Sequence, residues 1–236
     1  MTYVMSDLHG EYDKYIRMLE RIDFTDADEL YILGDVVDRG EEPVRILYDM
    51  SMRANVYPII GNHDYMAVSL LRRFCVEITE ENYATQIDRE IMQLLALWQQ
   101  DGGSTTLAKF RALPQDHRLA LIEYMEDFAT YACLTVGEKE FILVHGGIPF
   151  EKRHLPMEEQ NIRELITERM DYTKRYYDNK YIVSGHTPTA LIDKAYDGRI
   201  MRKNGHIAVD CGAVFGRPLG CIRLDDMAEF YVEQQS

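Results

Sequence analysis

The chain is poor in several things at once. It has one tryptophan, seven prolines and four cysteines. No two cysteines form a C-x-x-C pair, so Cys75, Cys133, Cys211 and Cys221 are expected as buried, reduced thiols rather than a disulfide frame. No apolar run approaches the ~18 residues that a membrane span needs, so no membrane partner is expected. The first residues lack a basic stretch followed by an apolar one, which excludes a signal peptide and points by elimination to the cytoplasm. Positive charge is also scarce. Against 40 Asp and Glu stand 26 Lys and Arg, a formal charge of −14. Such a surface disfavours non-specific binding to nucleic acid or anionic lipid. A phosphate ligand would therefore have to be drawn in by local cations, meaning metals and a few arginines.

Repeats, low-complexity tracts and linkers rich in Pro, Gly or Ser are missing too, so residues 1–236 are expected as one domain. Apolar residues at 46% and charged residues at 28% are an ordinary globular balance and exclude disorder as the default. Residues 3–5, 30–33 and 56–60 read as strands, and 12–22 and 43–52 as helices. This β-α-β-α-β opening predicts an α/β fold with a partly parallel sheet. Residues 66–128 read as mostly helical, broken at Gly102-Gly103, a simple helix-to-helix turn, and near Pro114. Strands are expected again at 129–136, 141–144, 181–184, 207–209, 220–224 and 230–232, many of them antiparallel.

The chemistry sits just beyond the ends of five of these strands. They run into D-x-H (Asp7, His9), G-D-x-x-D-R-G (Asp35, Asp38, Arg39), G-N-H-D (Asn62, His63, Asp64), H-G-G (His145) and G-H-T-P (His186). Ligands of open α/β sheets gather beyond the carboxyl ends of strands, so the potential metal ligands at these five ends could meet there. Asp7 and His9, two apart in an extended segment, should point the same way. A lone Asp after a strand is ordinarily a turn residue or a helix cap, and a lone His beside glycine is ordinarily structural. Five such ends in this order make coincidence the poorer account.

The ordered set resembles the metal-dependent phosphoprotein phosphatase family, within the calcineurin-like phosphoesterases. In size it is most similar to the bacteriophage lambda type and bacterial serine/threonine enzymes. The resemblance implies an α/β fold with a central β-sandwich of mixed sheets flanked by helices. It also implies a two-metal hydrolase of phosphate monoesters acting on phosphoproteins or phosphopeptides at serine, threonine and also tyrosine, through a water held between the ions. By motif, Asp7 and His9 would bind the first ion, Asp35 would bridge, and Asn62, His145 and His186 would complete the second site. This mix of oxygen and imidazole donors suits manganese, iron or zinc. His63 would donate a proton to the leaving oxygen with Asp38 as its partner, Arg39 would clamp the phosphate, and Arg169 would be a second phosphate ligand. Arg217 is a third candidate.

One departure bears on the substrate. The protein phosphatases usually read G-N-H-E where this chain has Asp64, and the bacterial symmetrical diadenosine tetraphosphatases read G-N-H-D. Those enzymes usually lack the acid present here as Asp38. A dinucleoside polyphosphate hydrolase, with a nucleotide as partner, is thus the alternative, and Asp64 has no assigned role. His117, His154 and His206 are expected as structural or surface groups, Trp98 as core, and Tyr172, Lys174, Arg175, Tyr176 and Tyr177 as a solvated amphipathic helix face.

Overall fold

A computed structural model describes residues 1–76 and 89–234; the part of the expected helical stretch at 77–88 lies outside these. In chain order come β1 (Thr2–Met5), α1 (Tyr12–Arg21), β2 (Glu29–Leu33), α2 (Pro43–Ser51), β3 (Val56–Ile59) and α3 (Asn62–Phe74). Next are α4 (Arg89–Trp98), a kinked turn (Gln99–Gly103), α5 (Ser104–Arg111), α6 (Gln115–Glu126), β4 (Tyr131–Val136) and β5 (Lys139–Val144). The chain continues through α7 (Ile162–Thr167), β6 (Lys180–Ser184), α8 (Thr189–Ile192), β7 (Met201–Lys203), β8 (His206–Ala208), β9 (Leu219–Arg223) and β10 (Ala228–Val232).

The strands form two sheets, ordered β10-β9-β1-β2-β3 and β4-β5-β6-β8-β7. In the first, β1, β2 and β3 are parallel and β9 runs antiparallel to β1. In the second, β5, β6 and β8 are parallel and β4 runs antiparallel to β5. The period-two alternation of strands sorts the core into layers. Val4, Tyr31 and Leu33 face Phe141, Leu143 and Val183 between the sheets. Tyr3, Met5, Leu30 and Ile32 point the other way, onto α1, α2 and the helices after β3. Ile142, Val144 and Ile182 point outward onto the segment from Ile148 to Tyr176. Strands buried on both faces read as continuous apolar runs, which is why the sequence marks them clearly.

Three expectations fail. Residues 171–179 form turns rather than a helix. Tyr172 and Tyr176 are buried there, edge-on to the buried His206 ring. All four cysteines are free, but only Cys211 and Cys221 are buried; Cys133 is exposed. Last, α3 starts at Asn62, four residues ahead of the expected helical stretch. The Asp64 carboxylate accepts from Gly61 N at 3.0 Å and anchors the first turn.

Candidate active site

The parallel strands β1, β2, β3, β5 and β6 all end at one cleft of about 340 Å³. Its walls include Asp7, His9, Asp35, Arg39, Asn62, His63 and His186. The loops after β1 and β2 are stitched together by Asp7 N to Gly34 O (3.0 Å), His9 N to Asp35 O (2.8 Å) and Gly40 N to His9 O (2.9 Å). Glycine is required at two close approaches. A Cβ on Gly61 would stand 2.2 Å from Asp35 Oδ1, and one on Gly185 would stand 2.3 Å from Asp7 Oδ2.

Asp7, His9, Asp35, Asp38, Arg39 and His186 all have positive φ, between 40° and 72°. Each such residue costs of order 1–3 kcal/mol, and the cost persists only where the surroundings enforce it. Asp7 and His9 therefore reach the cleft through a left-handed turn, not through the strand alternation their spacing suggested.

The imidazoles are aimed by main-chain carbonyls. His9 Nδ1 donates to Val37 O (2.8 Å) and His145 Nδ1 to Leu33 O (2.6 Å), which turns each Nε2 inward. Both meet Asp35 Oδ2, at 3.7 Å from His9 and 3.4 Å from His145. Asn62 Oδ1 lies 3.1 Å from His145 Nε2. Two clusters result, His9-Asp35-His63 and Asp35-His145-His186, each with donor atoms within 4.8 Å of one another. Asp35 belongs to both. Such a set can hold a dinuclear metal centre, since all its donors are carboxylate oxygens and imidazole nitrogens. Asp7 lies at the edge of the set, its Oδ2 accepting from His186 N at 2.9 Å.

Charge is tightly coupled here. Burial works against the Asp35 carboxylate, but the adjacent His145 imidazole prevails and holds it well below the usual range. Burial likewise opposes charge on His145, yet Asp35 and Asp7 lift it to about 10. Burial pushes Asp7 up to about 6 and His9 down to about 3. His186 falls to about 4 through burial and the neighbouring His145.

A second limb carries His63. Its Nδ1 lies 2.8 Å from Asp38 Oδ2, and both side chains are buried. Burial opposes charge on His63, but the Asp38 hydrogen bond raises its pKa. Asp38 also accepts from Trp98 Nε1 at 2.7 Å and from Thr106 Oγ1 at 2.6 Å. Trp98 is core, as expected, but its N–H is committed to this carboxylate. Gly102 is more than a turn as well, because its carbonyl accepts from Arg39 N at 3.0 Å.

The Arg39 guanidinium reaches His9 Nε2 (2.6 Å), His63 Nε2 (2.8 Å) and Asp101 Oδ1 (3.1 Å). A lone pair on His9 Nε2 serves a guanidinium or a metal, not both. An ion bound there requires Arg39 to turn away, toward the open cleft.

The calcineurin-like phosphoesterase family model matches residues 2–208. The chain belongs to the calcineurin-like phosphoesterases. It is 23% identical, over 95% of its length and 90% of the relative's, to the asymmetrical bis(5′-nucleosyl)-tetraphosphatase of Geobacillus sp. strain WCH70. A shorter match, 42% over 65 residues (27% of this chain and 23% of the relative), is to the symmetrical bis(5′-nucleosyl)-tetraphosphatase of Salmonella paratyphi B. Among solved structures, a candidate diadenosine tetraphosphatase superposes with a TM-score of 0.69 at 16% identity, covering 99% of this chain and 93% of that one. A serine/threonine phosphatase of Saccharomyces cerevisiae gives 0.56 at 12% identity, covering 100% and 79%. At these identities the structures report the fold alone.

Within this phosphoesterase, the other candidates separate cleanly. Arg169 lines the cleft, exposed. Arg217 does not line it; the guanidinium is held by Asp197 at 2.7 and 3.0 Å. Asp64 is fully buried behind the cleft and accepts from Val36 N at 3.0 Å and Val37 N at 3.3 Å, so it braces two loops. His117 and His154 are exposed, and His206 is buried. Asp101, Asp210, Leu191 and Phe215 also line the cleft, and sequence reasoning assigned none of them a role there, although the resemblance extends toward residues 210–215. None of these stands in a motif with a metal-ligand spacing.

Proposed function

We propose that this phosphoesterase hydrolyses dinucleoside polyphosphates at a two-metal centre. The observation that carries the metal assignment is the Asp35 carboxylate shared by both donor clusters. In this reading Asp7 and His9 hold the first ion with Asp35, while Asn62, His145 and His186 hold the second. Two divalent ions so bound supply Lewis-acid charge and a water of lowered pKa. Arg39 exchanges its imidazole contacts for phosphate oxygens, which its fork can take in pairs. Arg169 adds a second cation from the far wall, and His63, backed by Asp38, gives a proton to the departing oxygen.

The choice of substrate is supported by the full-length relatives named as tetraphosphatases. Asp64 does not bear on it, since that side chain is buried away from the cleft. One feature favours protein phosphatase activity instead. The buried His63–Asp38 pair suits a strongly basic leaving group such as serine alkoxide more than a nucleotide phosphate. Relative kcat/KM on diadenosine tetraphosphate and on a phosphoserine peptide, with manganese present, decides between them. The dinucleotide is expected to be preferred at least tenfold; the reverse preference would overturn the substrate assignment.

A further inference from the structure

The cleft has an apolar rim that neither the metal cluster nor the phosphate clamp uses. Phe215 and Leu191 line it and are 60% and 70% exposed. Exposed apolar side chains are common on their own; these two stand on the wall of the cleft that holds the candidate metal donors, within reach of a ligand bound there. The Arg39 guanidinium carbon lies 5.6 Å from the centre of the Phe215 ring, on the same arginine that reaches His9 and His63. Metal cluster, arginine and aromatic ring thus succeed one another across the cleft.

The turn that presents Phe215 is braced on several sides. Gly212 and Gly216, at φ 83° and 75°, bracket the short helix Ala213–Phe215. Asp210 Oδ1 accepts from Gly212 N at 2.8 Å. Lys14 is 2% exposed and donates its ammonium to Ala213 O (2.5 Å) and Arg217 O (3.2 Å). The same ammonium pairs with Glu11 Oε2 at 3.1 Å, and its bonds to two carbonyls of one turn fix the ring's backbone in advance. Binding on the ring then avoids the ordering cost of an adaptable loop.

We infer that Phe215, with Leu191 lining the same cleft, is a stacking platform for the purine-like base of a nucleotide whose phosphates lie on Arg39 and the metal cluster. This rests on the dinucleoside polyphosphate reading of the same site. A base is planar, offers a π-face and hangs one sugar away from its phosphate. That matches a ring standing beyond the clamp rather than among the metal ligands. Base–aromatic stacking is sequence-tolerant and worth roughly tenfold or more in affinity.

The test compares two ligands that differ by one adenosine. Methylenediphosphonate and adenosine α,β-methylene diphosphate are titrated by calorimetry into the manganese-saturated enzyme. Neither bridge can be hydrolysed. Wild type should favour the nucleoside form by roughly tenfold, Phe215→Ala should lose most of that preference, and Phe215→Trp should keep it. An unchanged preference in Phe215→Ala, or none in wild type, overturns the platform. Hydrolysis of diadenosine tetraphosphate by wild type is scored separately. Turnover with no platform signature sinks only this inference, whereas a platform signature without turnover sinks only the substrate reading.

Discussion

His63 and Asp38 show how much of the site depends on contacts outside the motifs. Asp38 receives three side-chain partners while fully buried, and one of them is the indole of Trp98. If His63 is the proton donor, His63→Asn should slow hydrolysis of an alkyl phosphate by ~10²-fold or more. Nitrophenyl phosphate should suffer far less, because nitrophenolate leaves without help. Equal losses with metal content unchanged would exclude that role. Trp98→Phe removes the N–H and keeps the ring, so it should reproduce the selectivity more weakly and destabilise the fold by about 1.5–3 kcal/mol. Thermal melting and the substrate ratio together check both halves. The candidate metal donors were legible because each follows a strand end, in a short motif that contains glycine or runs into one. Trp98 was not, since its apolar helical surroundings carry no sign of a carboxylate 60 residues earlier in the chain.

Among the elements, α4, the kinked turn at Gln99–Gly103 and α5 act as a buttress for the loop after β2. Trp98 and Thr106 hold Asp38, Gly102 holds the Arg39 backbone, and Asp101 pairs with its guanidinium. The turn is a kink between two helices, with Asp101 and Gly102 outside helical geometry and Gly102 at φ 104°. A Cβ at Gly102 would lie 2.6 Å from Arg39 Cγ and 3.0 Å from Arg39 N. Gly102→Ala should therefore cost ~1–3 kcal/mol and weaken inhibition by inorganic phosphate through a displaced clamp. A melting temperature and a phosphate inhibition constant both equal to wild type would show that the buttress does not position Arg39. The helix pattern and the break were visible in sequence. Which loop the break packs against was not, because this depends on how the helices fold back over the first sheet.

Across the whole molecule, a strongly acidic chain brings two arginines, Arg39 and Arg169, to the same cleft as its candidate metal donors. The β-α-β-α-β opening and the apolar runs gave away the strands and the parallel part of the first sheet, because strands buried on both faces leave little freedom of interpretation; the two-sheet arrangement came only from the family resemblance. The turns at 171–179 misled because alternating tyrosines and basic residues imitate a helix face, while burial against His206 decides their conformation. Among the described residues, no helix is long and apolar enough to cross a membrane. The proposed chemistry turns on one carboxylate, Asp35, joining two metal positions. Wild type and Asp35→Asn should be stripped with chelator, reloaded with manganese, and compared by elemental analysis beside a melting curve that verifies folding. Two ions per chain and restored hydrolysis are expected in wild type, with at most one ion and no restored hydrolysis in the variant. Equal metal content in the two proteins, or full activity of metal-free wild type, would contradict the shared-carboxylate centre.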